Sequence, residues 1–461
     1  MYKFYIGILA LLFSSCSVGP DYVPPETYNE GQIKTELNLI TSTKERKKWY
    51  DFFQDEQLQY LIAQGIKNNA NINIAKLRLQ QSRSVSIINK ASFLPQVGLT
   101  GTYQYEKVSK NIGPAADSRY YSLGFDASWE VDIWGKGRRQ NEADLAAISA
   151  AHYNVSHVKL IITAEIITNY IKLAQNQEKL RIAQQNATSQ QNLVNIIYSK
   201  YTNGLVGEVD YNQAKYLLAE IKSQIPEFSE QTDVYKNAIA VLLETLPSQL
   251  PIAENKIKIL SQKLNFRNDF VYELPADIIR KRPDIAMAEQ QLIQQNAKIG
   301  EAIADLYPAV NLSAVLGYAA RSTGRIIASS SQTDNYSPAV TLPLLNWNKL
   351  TESIKLQQLE KEEALVNYKN TIINAISELK KAITAYQNNL AINKQQEISL
   401  ATMRKTLDLK LKQYENGLTD YSDVLQAQQN CLSAENKYID SKSQIYQSIV
   451  TYYKATGSFY Q

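Results

Sequence analysis

Histidine, cysteine and methionine are nearly absent from this chain, at two, two and three residues out of 461. Their scarcity removes whole classes of chemistry. His152 and His157 lie five apart, off a shared helical face, which argues against a zinc site. Three methionines leave no methionine-rich metal path, so no metal is expected. There is no HExxH, no GxSxG and no phosphate-binding loop; Gly135-Lys136-Gly137 lacks the preceding glycine and the Ser or Thr of a phosphate cradle. Catalysis is not expected. Charge of one sign is missing too: 49 basic against 45 acidic side chains leave a net +4, with no push toward nucleic acid. The short basic run Arg280, Lys281 and Arg282 reads as an anchor for its own segment. Cys431 stands in a helical pattern with no histidine nearby and reads as a buried spectator thiol.

Long hydrophobic runs are missing as well. Beyond a short apolar stretch at the start, nothing approaches the ~20 apolar residues of a spanning helix. A membrane crossing by this chain must use strands. Proline is absent from residues 136–202 and 348–416, and the only glycine in either stretch is Gly137. What is plentiful is tyrosine, 30 residues against 10 Phe and 4 Trp, a side chain suited to membrane girdles and channel walls.

The first residues read as a targeting segment. Lys3 gives a positive start, Tyr5 to Phe13 an apolar core, and Ser14-Ser15-Cys16 a lipobox-like ending that puts a lipidated Cys16 at the mature N-terminus. Phe13 stands where Leu is usual. A signal peptide that merely contains a cysteine is the competing reading. Ser17, rather than Asp, after the cysteine favours export to the outer membrane.

Organisation shows in an internal repeat. Pro95 and Pro308, Trp134 and Trp347, and the segments YTNGLVGEVDYNQA from Tyr201 and YENGLTDYSDVLQA from Tyr414 are each 213 residues apart. The repeated unit reads strand, strand, long helix, turn, helix. Residues 96–105 alternate Val97, Leu99, Tyr103 and Tyr105 against Gln96, Thr100, Thr102 and Gln104. Residues 122–133 set Leu123, Phe125, Ala127, Trp129, Val131 and Ile133 against a wet face carrying Asp126, Glu130 and Asp132. Val310, Leu312, Leu316 and Tyr318 begin a third strand, and Tyr336 to Leu345 form a fourth, around a Gly- and Ser-rich loop at 321–331. Four strands cannot close a barrel, because the smallest bacterial outer-membrane barrels have about eight and an open edge in lipid leaves backbone groups unpaired. Other copies of the chain must complete the sheet.

Each strand pair precedes a helix of about 100 Å at 1.5 Å per residue. Such rods pack as coiled coils or an α-barrel, and a solvated coiled coil with no pore remains open at this point. Gly204 and Gly417 end them, and new helices start near Asp210 and Asp420. The expected divisions are a signal peptide at 1–15, a lipidated segment at 16–56, a first repeat at 57–246, an equatorial connection at 247–283, a second repeat at 284–456 and a tail at 457–461. Strands are expected at about 94–107, 119–133, 308–320 and 334–345.

With CSVGPDYVPP from Cys16 onward, W-x-x-F at Trp49 to Phe52, LPADIIRKRPDI in the middle and the paired YxNGL turns, the chain resembles the TolC-like outer-membrane efflux proteins. Within them it is similar to the lipoprotein branch (NodT and OprM type) that serves resistance-nodulation-division pumps. The resemblance implies an α+β membrane protein: a homotrimer with a twelve-stranded β-barrel, four strands per protomer, continued by a long α-helical barrel. It implies a passive exit channel in the outer-membrane lipid, fed by an inner-membrane resistance-nodulation-division transporter and a periplasmic adaptor protein. By position, Asp210 and Tyr414 match a tip pair that hydrogen-bonds in the closed state, and Asp423 matches an acid ringing the periplasmic constriction. Gln426 and Thr419 depart from the family, standing where a second acid and a gate arginine occur. Asp126, Glu130 and Asp132 are expected in the barrel lumen. Beside these stand plainer readings: Asp423 as a first-turn helix acid, Asp210 as an N-cap and Tyr414 as turn packing. For function, a type I secretion duct for polypeptides and a non-channel envelope scaffold are the alternatives.

Overall fold

The computed structural model describes residues 17–26, 53–107, 117–253 and 281–457, with a few isolated positions between them. Cys16, Trp49, Phe52 and most of 274–280 lie outside the described residues. The elements are α1 (Glu56–Asn68), α2 (Ala70–Ser92), β1 (Gln96–Lys107), β2 (Asp117–Glu130), α3 (Lys136–Thr202), α4 (Glu208–Leu242), α5 (Pro283–Ala304), β3 (Ala309–Ala320), β4 (Gln332–Thr341), α6 (Trp347–Glu415) and α7 (Tyr421–Ala455). They fall into two compact units, one built on residues 77–153 and 286–370 with the N-terminal segment, the other on 154–285 and 371–461 with residues 27–76.

The first unit holds one antiparallel sheet in the order β1-β2-β3-β4. Register puts Leu99, Phe125 and Leu316 directly opposite one another on adjacent strands, and all three are exposed, at 65%, 58% and 47%. Side chains on directly opposed positions share a face. Val97, Tyr103, Leu123, Trp129, Leu312, Tyr336 and Val340 therefore extend this apolar face, and Thr100, Asp126, Ser128, Glu130 and Ser313 lie on the other. Asp334, opposite Leu316 on β4, is the charged member of that row; the rest is an apolar surface of a kind that requires a cover. β1 and β4 each have one unpaired edge among the described residues.

Two strands end earlier than alternation predicts. β2 stops at Glu130, and β4 runs 332–341 rather than 334–345. Pro343 has no N–H to give a ladder, and Leu345 is fully exposed. At the foot of the sheet Trp129 Nε1 donates to Phe93 O (2.9 Å) and Trp134 Nε1 to Pro308 O (2.8 Å). There the N-terminal segment is clamped. Arg139, 5% exposed, donates to Val18 O (3.0 Å), Gly19 O (3.0 Å) and Asp21 (2.8 Å), while Asn296 Nδ2 donates to Pro20 O (2.9 Å). The GPDY portion of the sequence motif is thus a strap whose Gly19 and Pro20 carbonyls and Asp21 carboxylate accept from Arg139 and Asn296.

In the second unit the apolar stripe of α3 (Ile166, Ile167, Tyr170, Ile171) is fully buried, as are Leu58, Leu61 and Ile62 of α1 and Tyr446, Ile449 and Tyr452 of α7. Asp55 caps α1 by accepting from Leu58 N (2.9 Å), and Tyr170 Oη donates to the same carboxylate (3.1 Å). Arg282 is 6% exposed. Its guanidinium donates to Ala455 O (2.7 Å), to both oxygens of Asp284 (3.1 and 2.8 Å) and to Glu378 (2.8 Å). The basic run is an anchor at this residue, tying the start of α5 to α6 and to the end of α7.

Candidate functional site: the two helical turns

The two turns that repeat at an offset of 213 are built alike, bond for bond. α3 ends in Asn203-Gly204-Leu205 and α6 in Asn416-Gly417-Leu418. Gly204 and Gly417 take φ of +72° and +71°, a region costly for side-chain-bearing residues. Leu205 N donates to Lys200 O and Gly204 N to Tyr201 O (both 2.9 Å); Leu418 N donates to Gln413 O (2.9 Å) and Gly417 N to Tyr414 O (3.1 Å). These are paired Schellman closures that satisfy the last helical carbonyls. The asparagine amides add a bond each, to Ser199 O and Lys412 O (both 2.7 Å). The Asn and Gly of the signature thus each have a mechanical role, while the leucines, 72% and 77% exposed, contribute their backbone N–H alone. Gly417→Ala is expected to weaken this closure by about 1 kcal/mol, read as several-fold faster hydrogen exchange at the Leu418 amide with unchanged exchange at the α1 core.

Behind the turns a small apolar cluster holds Val194, Ile197, Ala214, Leu218, Tyr414, Tyr421 and Val424. Tyr414 meets Tyr421 edge-on at 5.6 Å, and Lys200 Nζ lies 4.7 Å above its ring. Tyr201 stacks on Tyr211 at 5.9 Å. The Tyr414 hydroxyl is buried and makes no hydrogen bond. The expected Asp210–Tyr414 bond is therefore not formed in this protomer. Burial, and after it the charge of Asp210, keeps the Tyr414 phenol above its usual range.

Nor is Asp210 an N-cap. Gly207 caps α4 without a side-chain bond, and Asp210 stands in the first turn, where a carboxylate favours the helix dipole. Asp423 occupies the matching place in α7. Its carboxylate accepts from Thr419 Oγ1 (2.6 Å) and from Lys410 Nζ (2.7 Å), and those two bonds, with the charge of Lys410, hold it below the usual carboxylate range. Lys410, three residues before Gln413, was not singled out by sequence patterning. Ile197 at the same place in the first repeat was the available signal. Gln426 Nε2 donates to Asn430 Oδ1, at 3.2 Å.

Below the cluster runs a polar layer. Gln190 Nε2, on a residue 2% exposed, donates to Ala214 O (3.1 Å) and Tyr421 Oη (3.3 Å), and Gln428 Nε2 donates to Gln190 Oε1 (3.0 Å). Glu435 accepts from Asn186 (3.0 Å) and Arg404 (2.7 Å).

On the sheet, Asp126 lies on the wet face and accepts from Thr100 Oγ1, and Glu130 is the last residue of that face. Asp132 does not join them. It lies past the strand end, and its carboxylate accepts from the Gly137 and Arg138 amides (3.1 and 3.2 Å), satisfying the open first turn of α3. Alternation alone cannot distinguish a strand acid from a helix-capping one. Among the described residues no cluster of ligating side chains suited to a metal occurs, and no helix is long and apolar enough to cross a membrane.

The model of the family "Outer membrane efflux protein" matches residues 61–244 and 274–458, one match to each repeat. Nodulation protein T of Rhizobium leguminosarum bv. viciae is 28% identical, covering 94% of this chain and 89% of that protein. Cation efflux system protein CusC of Escherichia coli O6:H1 is 25% identical over 98% of both. The crystal structure of the Campylobacter jejuni CmeC outer membrane channel superposes with a TM-score of 0.85 at 25% identity, covering 96% of this chain and 95% of that one. A strand-paired sheet with one apolar face, two long helices closed by matching turns and a family match across both repeats lead to one assignment: the chain belongs to the outer membrane efflux protein family and is an outer-membrane exit channel for efflux.

Proposed function

We propose that three copies of this chain complete one twelve-stranded barrel and one helical tunnel, forming the outer-membrane member of a tripartite pump for small molecules. The observation that carries this reading is the sheet itself: four strands, two open edges and an exposed apolar face. Backbone groups on those edges have no partner in lipid, and neighbouring copies supply β4-to-β1 pairing. The inner-membrane transporter supplies the energy, and a periplasmic adaptor engages the turns at Gly204 and Gly417. Cys16 carries the covalent lipid; Cys16→Ser is expected to abolish incorporation of labelled palmitate and the matching mass increase.

The test is reconstitution of the purified protein in planar bilayers, joined to a deletion strain. Discrete conductance steps from a crosslinkable trimer, and raised sensitivity of the strain to small toxic compounds, are expected. A monomer that stays soluble without detergent once its lipid is removed would refute the reading. Asp126 and Glu130 face the lumen in this assembly. Asp126→Asn with Glu130→Gln is expected to lower the cation preference of the conductance, because lumenal carboxylates concentrate cations; an unchanged reversal potential would place these side chains outside the path.

A further inference from the structure

The two turns share backbone geometry but not electrostatics. At the offset of 213, Asp210 and Asp423 are counterparts, as are Ile197 and Lys410, and Val206 and Thr419. In the second turn a lysine and a hydroxyl close on the acid, at 2.7 and 2.6 Å. In the first turn the same two places carry hydrocarbon: Ile197 is fully buried and Val206 packs against the same cluster. No hydrogen bond or ion pair engages Asp210 among the described residues. The repeat has thus kept the acid twice and placed a lysine in contact with it once.

We propose that Lys410 is a selectivity-determining residue of this channel, neutralising Asp423 within each protomer so that the periplasmic aperture carries no net charge from that ring. The proposal rests on the reading that the α6–α7 turn borders the permeation path. Lys410 and Asp423 are each partly exposed, at 34% and 51%, so ions in the path meet the pair rather than a lone carboxylate. A bound ammonium beside a carboxylate presents a dipole whose field falls faster with distance than that of a charge. Three bare carboxylates around an axis attract cations; three such pairs do so far less. Thr419 donates to the same Asp423 oxygen as the lysine, which holds that oxygen in the Lys410 pair.

The experiment compares reversal potentials of reconstituted trimers under a potassium chloride gradient at low ionic strength, where fixed charges are least screened. Lys410→Gln is expected to raise the potassium-to-chloride permeability ratio several-fold. Asp423→Asn is expected to lower it, and the double variant to return to the wild-type value. A ratio unchanged in Lys410→Gln but altered in Asp423→Asn overturns the proposal while leaving the path reading intact. A ratio unchanged in both removes this turn from the path, and the proposal goes with it. A second measurement does not depend on conduction. In trimers with labelled aspartate, the Asp423 carboxyl should titrate at higher pH in Lys410→Gln than in wild type; an identical titration overturns the pairing.

Discussion

Replacing Arg282 with methionine is expected to cost about 3–5 kcal/mol, the typical penalty for removing one member of a buried ion pair. The folded protein then fails to survive purification at ordinary temperature. Three losses coincide at this one side chain. Asp284, its side chain 18% exposed, keeps a charge in a poorly solvated place with no cation against it. The Ala455 carbonyl, which closes the end of α7, loses its donor at 2.7 Å. The Glu378 pair loses least, since that carboxylate is 57% exposed and water replaces the contact. Lysine does not restore the site, because one ammonium cannot reproduce the two-pronged grip on Asp284 together with the bond to Ala455 O.

The dependence on acidity separates this account from a simple packing loss. Burial works against the charged form of Asp284, but the Arg282 bonds outweigh it and hold the carboxyl below its usual range. Its contribution in wild type is therefore complete above the ordinary carboxylate range and is lost as pH falls through the lowered native value. In Arg282→Met burial is opposed only by the Ile285 amide and the charge of His157, so the native value rises from its wild-type position. The contribution of Asp284 then shrinks, and less stability is lost on acidification. Denaturant midpoints of the two proteins between about pH 3 and 7 measure the difference, a shallower slope in the variant; parallel slopes would refute the ion-pair account.

The second large effect is expected on the sheet. Gly124 and Gly317 are directly paired between β2 and β3. A Cβ at 317 would stand 2.5 Å from Gly124 Cα and 2.5 Å from Leu123 O. Both are backbone atoms, which move only by breaking the ladder. Gly317→Val is expected to cost about 3 kcal/mol, at the upper end of overpacking penalties, and to leave protomers that do not mature into a detergent-resistant trimer. Gly101→Ala is the control. Its Cβ would meet Leu123 Cδ1 at 3.6 Å, an ordinary contact, and assembly is expected to proceed. Semi-native electrophoresis of outer-membrane fractions reads both. A trimer of normal yield and heat stability from Gly317→Val would contradict the steric argument.

Much of the fold was readable because its signals are local. The absence of Pro from 136–202, with Gly only at 137, predicts α3 to the residue, and 348–416 misses α6 by one position at each end. Positive φ at Gly204 and Gly417 is a requirement of the chain itself, so the turns could be placed from sequence. Strand ends were less legible. Asp132 belongs by alternation to β2 and by hydrogen bonding to α3, and only the second is settled in three dimensions. Of the site, the repeated acids Asp210 and Asp423 were visible, and the lysine that pairs with Asp423 was not. Lys410 reaches Asp423 across a turn, thirteen positions away, a spacing that no helical or strand period encodes. The surroundings of Tyr414 were not legible either, because the apolar cluster around it is assembled from four helices.

The polar layer at Gln190, Gln428 and Glu435 has a consequence for how the long helices find their alignment. A stripe of interchangeable Leu, Ile, Val and Ala fits its neighbour nearly as well after sliding by one heptad. Buried amides do not. A slip would leave Gln190 Nε2 without Ala214 O, Gln428 without Gln190, and Glu435 without Asn186, each loss costing about 1–3 kcal/mol. These side chains act as vernier marks, spending some core hydrophobicity to make a single sliding position distinguishable from all others.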